Sequence, residues 1–114
     1  MSPSKAPFAA SSPIYRIDKF IVPGAALDAF VTQTRRVQRA LAVLPGCGVN
    51  QVLTKTAGPG EFNVVTIVEW SDPAALGEAR AQIQAHYARE GFDPQAFMDG
   101  LGVRADLGLY AEVG

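Results

Sequence analysis

The chain has 114 residues, of which 48% are apolar and 18% charged, with Lys and Arg numbering 10 against 11 Asp and Glu. That length suits one domain, expected over residues 14–114, and such a domain buries roughly two-thirds of its unfolded surface, enough for a core without covalent staples. A net charge of -1 excludes the broad basic surface that a nucleic-acid backbone requires, and no stretch approaches the ~20 apolar residues of a membrane span.

Residues 1–13 (MSPSKAPFAASSP) are small and rich in Pro and Ser. They lack the apolar centre of a secretion signal and read as a flexible N-terminal tail. Ile14 to Val22 reads as the first strand, with Tyr15, Ile17 and Ile21 on one face and Arg16, Asp18 and Phe20 on the other. Pro23-Gly24 breaks it. From about Ala25 to Leu44, Leu27, Phe30, Val31, Thr34, Val37, Leu41 and Leu44 recur at helical spacing. Arg35, Arg36 and Arg39 belong to the solvated side of that helix. Pro45-Gly46 ends it.

A second, mixed strand is expected from about Gly48 to Thr56, then a turn at Ala57-Gly58-Pro59-Gly60. The third strand, Glu61 to Trp70, is β-branched and apolar, and pairs with the second as a hairpin. Asp72 is a helix N-cap with Pro73 at the first helical position. That helix runs to about Glu90, with Gly91 as its C-terminal cap. Asp93-Pro94 starts a short helix that Gly100 is expected to close. Val103 to Val113 is the last strand.

The order β-α-β-β-α-β predicts an α+β, ferredoxin-like domain: a four-stranded antiparallel sheet of spatial order 4-1-3-2 with both main helices on one face. In that order the last strand lies beside the first, and opposite charges would face across the pair, Arg16 to Asp106 and Asp18 to Arg104. Such charges, with Phe20, Val65, Ile67 and Asn63, are expected on the face away from the helices. A partly apolar face without a helix to cover it predicts a homodimer packed sheet to sheet.

Chemistry is sparser than fold. The chain holds one histidine, His86, and one cysteine, Cys47. A single cysteine cannot form an internal disulfide, which suits a reducing, cytoplasmic compartment. No histidine pair, cysteine pair or acidic cluster has metal-ligand spacing, and no Gly-rich loop stands between a strand and a helix as in a nucleotide site. His86 has the right ordinary pKa for a general base, near ~6.5, but lies at the edge of its helix's apolar stripe, where an exposed boundary histidine is the alternative. Arg80 sits near the centre of that stripe, to hold an anion or to pair with Glu69 or Glu78. Thr34 offers a hydroxyl to a cavity or a bond to its own helix. Tyr87 is a cavity residue or a core residue with a buried hydrogen bond. Trp70, with Phe62, Val64, Thr66 and Val68 on its face, is a pocket wall or packed core.

Tyr15-Arg16-Ile17-Asp18-Lys19-Phe20 with Val22-Pro23, Pro45-Gly46 after the first helix, and Val64-Val65-Thr66-Ile67-Val68-Glu69-Trp70 leading into Asp72 together carry a family likeness. From about Ile14 to Val113 the chain resembles the antibiotic biosynthesis monooxygenase domains of the dimeric α/β-barrel superfamily. The resemblance implies a homodimer and a pocket between sheet and helices. It also implies oxidation of an aromatic, quinol-like small molecule without metal, flavin or haem. On that footing Trp70, Thr66, Thr34 and Tyr87 would bind substrate, while His86 and Arg80 would handle proton and charge. Haem-degrading relatives carry a histidine where this chain has Arg80, so haem cleavage fits less well. A dimer of the same fold that binds a small apolar ligand without catalysis is the alternative.

Overall fold

The structure is a computed structural model that describes residues 12–114. The expected N-terminal tail therefore lies, but for its last two residues, outside the described part. Four strands, β1 (Ile14–Ile21), β2 (Cys47–Thr54), β3 (Val64–Trp70) and β4 (Arg104–Tyr110), form one antiparallel sheet of order β2-β3-β1-β4. Three α-helices accompany it: α1 (Leu27–Ala42), α2 (Pro73–Glu90) and α3 (Pro94–Leu101). A single 3-10 turn at Gly24–Ala26 leads into α1. The expected α+β, ferredoxin-like architecture is present, with the strand order read from sequence. Among the described residues no helix is long and apolar enough to cross a membrane.

The helix boundaries reflect local chemistry. The Asp72 carboxylate accepts the Ala75 amide at 2.8 Å, and Pro73 occupies the first turn, where its missing N–H costs nothing. Asp93 caps α3 in the same way, through the amides of Gln95 and Ala96. Gly91 ends α2 in the left-handed conformation, with φ 65°. Gly102, not Gly100, closes α3, with φ 74°. The last strand is shorter than Val103 to Val113, and the second starts earlier and ends sooner than Gly48 to Thr56.

The register overturns one expectation. In β1, Phe20 faces Val64 and Asp18 faces Thr66 of β3, while Arg16 faces Val68. Val64 is fully buried and Phe20 nearly so, its ring packed edge-on against Phe30 of α1 at 4.9 Å between centroids. Arg16, Asp18 and Phe20 therefore point towards the helices. The expected cross-strand ladder does not form: Arg16 lies opposite Leu109, Asp18 opposite Leu107, and Arg104 opposite Ile21. Arg16 and Asp18 pair instead with each other along one strand, Nε to Oδ1 at 2.6 Å. Lys19, on the outer face, approaches Asp106 at 3.9 Å.

That outer face carries Tyr15, Ile17, Lys19 and Ile21 of β1, Val65, Ile67 and Glu69 of β3, and Leu53 of β2, by strand alternation. Asn63 is not part of it. Its side chain clasps the Val22 backbone, accepting from the amide and donating to the carbonyl, both at 2.8 Å. Phe62 has also left Trp70's face, and its ring lies under the Lys19 ammonium at 5.5 Å.

The helix-side core comes in two parts. One groups Phe20, Val22, Ala26, Phe30, Val64 and Val103. The other groups Val68, Trp70 and Ala79. On β3 the two parts are separated by a single inward position, Thr66.

Candidate functional site

Between these two halves of the core lies an open cleft of about 500 Å³, walled by the sheet, α1, α2 and the α2–α3 segment. That size falls in the range of small-molecule sites. Its lining is chiefly apolar and unusually aromatic: Phe20, Phe30, Trp70, Tyr87, Phe92 and Phe97 all reach it. The rings from the helices run in a continuous chain, Tyr87 to Phe92 at 5.4 Å, Phe92 to Phe97 at 5.5 Å, and Phe97 to Phe30 at 6.5 Å. The cleft exists because α2 is rich in alanine. Only Leu76, Ile83 and Tyr87 are large apolar residues on its inner side, so the helix spans the sheet without filling the space beneath it.

Trp70 stands at the end of β3, where Asp72 and Pro73 turn the chain into α2. It is 2% exposed, and the cluster it forms with Val68 and Ala79 is packed by Ile14, Leu41, Leu44, Cys47, Ala75 and Leu76. It is thus both packed core and cleft wall.

The polar residues of the lining are Arg16, Asp18, Thr66, Thr34, Gln33, Gln38, Gln84, Arg80 and Tyr87. Thr66 is 5% exposed, and its hydroxyl makes no side-chain hydrogen bond among the described residues. Thr34 makes none either, so it is not bonded back to its helix. Arg80 lines the cleft from an exposed position and forms no ion pair with Glu69 or Glu78. Burial raises the pKa of the Tyr87 phenol above its ordinary value, the positive charge of Arg16 opposes that shift, and Glu90 adds to it.

Four of the residues singled out from sequence as substrate contacts, Trp70, Thr66, Thr34 and Tyr87, and one as a charge handler, Arg80, converge on this cleft. His86 does not. Its Nε2 faces the Glu90 carboxylate at 3.4 Å, and Glu90 also meets Arg36 of α1 at 3.6 Å, forming a small charged cluster on the helical surface. In its place the cleft holds Arg16 and Asp18, which sequence reasoning had assigned to the opposite face. The signal that could have found them is the parity of β1: Phe20, the residue that seeks the core, is two and four positions away from them. Among the described residues no group of three or more His, Cys, Asp or Glu is placed to hold a metal.

The sheet order, the two main helices on one face and the cleft between them define the class: this is a ferredoxin-like α+β fold, one shared with a solved cofactor-independent oxygenase. No family profile matches the sequence, and no curated protein matches it. Solved structures do match. One is a candidate monooxygenase from Shewanella loihica, 20% identical over 91% of this chain and 97% of that one, with a TM-score of 0.68. Another is SnoaB, a cofactor-independent oxygenase from Streptomyces nogalater, 24% identical over 90% and 95%, with a TM-score of 0.66. A third is a conserved protein from Methanosarcina mazei, 17% identical over 93% and 98%, with a TM-score of 0.69. At these identities the likeness is one of fold.

Proposed function

We propose that this protein is a cofactor-independent monooxygenase that binds a flat, hydroxylated aromatic molecule in the cleft and oxidises it with dioxygen. The observation that carries this reading is the composition of the cleft: aromatic and aliphatic walls around polar groups several of which, Thr34, Thr66 and Arg80, have no side-chain partner among the described residues. Trp70 closes one end, Thr66 and Thr34 offer hydroxyls, and Arg80 supplies a positive charge that is unpaired among the described residues. The likeness in fold to a cofactor-independent oxygenase supports the choice of chemistry.

In such a reaction the substrate itself carries the electrons. A phenol with a free ring C–H loses its hydroxyl proton, and the electron-rich anion is oxidised by dioxygen. The ring gains one oxygen atom as a quinone carbonyl, and the second leaves as water, so C–H and O–H are exchanged for C=O and H2O. The protein's part is to align the ring, exclude bulk water and manage the proton and the negative charge. His86 is better read as a surface residue, since its ring is engaged by Glu90 outside the lining.

A homodimer through the outer sheet face goes with this reading, because Ile17, Ile21, Val65, Ile67 and Leu53 leave that face partly apolar with no helix over it among the described residues. The test is oxygen consumption with a panel of hydroquinones and naphthols, run with and without a chelator. Uptake that survives the chelator supports the reading. Ligand binding without any uptake would favour a non-catalytic binding protein, and loss of activity on chelation would sink the cofactor-free version.

A further inference from the structure

The Arg16–Asp18 pair is the most unusual feature of the cleft. Both side chains stand on the helix-facing side of a central strand, 32% and 15% exposed. Their cross-strand neighbours are Val68 and Leu109 for Arg16, and Thr66 and Leu107 for Asp18. Stability gives a poor account of such a pair, because the desolvation of two charges cancels most or all of their attraction. An apolar pair at these positions would fill the gap between the two halves of the core.

The geometry of the pair leaves chemistry over. Arg16 uses its Nε, side-on, to reach Oδ1 of Asp18. Neither terminal guanidinium nitrogen has a hydrogen-bond partner among the described residues, and neither does Oδ2 of Asp18. The pair thus presents one free anionic acceptor beside free cationic donors, with no net charge, in a slot whose other walls are chiefly aromatic and aliphatic. A neutral hydroxyl is the group that matches both halves at once. Its proton is donated to the carboxylate and its oxygen accepts from the guanidinium. A methyl ether can accept but cannot donate. A carboxylate or phenolate would meet Arg16 but be repelled by Asp18.

We propose that Arg16 and Asp18 together form the specificity-determining site of the cleft, selecting aromatic molecules that carry a free, protonated hydroxyl over their ethers and over aromatic anions. This rests on the cleft being the ligand site, and it sharpens the substrate class proposed above. The same arrangement suits the proton transfer that comes after binding. When the bound hydroxyl gives up its proton, Asp18 is the acceptor, and Arg16, relieved of its partner's charge, faces the new oxyanion.

The test needs no turnover. Binding of 1-naphthol, 1-methoxynaphthalene and 1-naphthoate, which share one ring system, is measured by calorimetry near neutral pH. For the unaltered protein, 1-naphthol should bind about tenfold or more tightly than either of the others, the worth of a hydrogen bond to a charged group. In Asp18→Asn the preference should invert: 1-naphthoate gains about tenfold as Arg16 is freed, and 1-naphthol weakens. Adding Arg16→Met to that variant should abolish the naphthoate gain. Circular dichroism and melting confirm that each variant is folded. Equal binding of the naphthol and its ether would overturn the proposal, as would a naphthoate affinity unmoved by Asp18→Asn. Failure of all three compounds to bind would overturn it together with the cleft reading. Absence of oxygen uptake elsewhere bears only on the oxygenase reading, since none of these measurements involves oxygen.

Discussion

Replacing Thr66 with valine removes one hydroxyl and keeps the shape of the side chain. Thr66 is 5% exposed and lies on β3 between Val64 and Val68, which are 0% and 2% exposed. Its hydroxyl is largely screened from solvent and has no side-chain partner among the described residues. A buried, unpaired polar group costs ~1–3 kcal/mol. The cleft is open, so water reaches part of the site and the lower end applies, about 1 kcal/mol. Thr66→Val should therefore stabilise the free protein, raising its melting temperature by ~4–8 °C at a fixed protein concentration. If the hydroxyl serves a ligand, the same change removes one neutral hydrogen bond, worth ~0.5–1.5 kcal/mol or about two- to tenfold in affinity. Trp70 is the chain's one tryptophan and lines the cleft, so its emission reads occupancy without a label. Gain of stability with loss of affinity is the signature of a group kept for binding at the expense of the fold. A lower melting temperature for Thr66→Val would refute the reasoning, because it would mean that the hydroxyl is satisfied within the protein.

Two glycine substitutions should move stability in opposite directions under chemical denaturation. At Gly46, φ is 86° and an added Cβ would lie 2.6 Å from Cβ of Ala75, so Gly46→Ala should cost about 3 kcal/mol through backbone and overlap together. Gly77 lies inside α2 with nothing within 4 Å, and Gly77→Ala should gain ~1 kcal/mol. Because the Tyr87 pKa is raised on folding, the unfolded chain ionises first: stability is unaffected below the ordinary tyrosine pKa of about 10 and falls as pH rises through the folded value. Alkaline melting curves of Tyr87→Phe should accordingly decline less steeply than those of the unaltered protein. His86→Ala should change stability by under ~0.5 kcal/mol, as expected for a surface contact whose two side chains are each 38% exposed, and should leave the proposed oxygen uptake intact. If the outer face pairs as proposed, the unaltered protein should sediment as a dimer and Ile67→Asp, on the outer face of β3, as a monomer.

The elements that could be read from sequence are those with local physical causes. Asp72-Pro73 and Asp93-Pro94 announce helix starts because carboxylate and ring each satisfy a need of the first turn, and Gly91 ends α2 because the left-handed turn there favours a residue without a Cβ. The orientation of β1 was not legible in the same way. Both of its faces mix apolar and polar groups, so alternation gives two sets without saying which one is inside. A rule that keeps charges away from helices selects the wrong set. The deciding contacts, Phe20 with Phe30 of the next helix and with Val64 two strands on, lie outside β1 itself. The cleft was legible only in outline. Trp70, Thr66, Thr34 and Tyr87 could be placed by strand and helix periodicity, but the space between them depends on how little an alanine-rich α2 fills, which is a matter of packing.

The division of the helix-side core has a dynamic consequence. Of its two halves, the one built on Trp70 has Ala79 as its only buried contribution from α2. The amides of α2 are then expected to exchange with solvent through a partial opening that spares the Phe20–Phe30 half, rather than through complete unfolding. A flat molecule in the cleft would touch both halves at once and tie the helix to the sheet. Occupancy would slow exchange along the whole of α2, including positions that never meet the ligand. A ligand that did so would complete the interior as a keystone completes an arch.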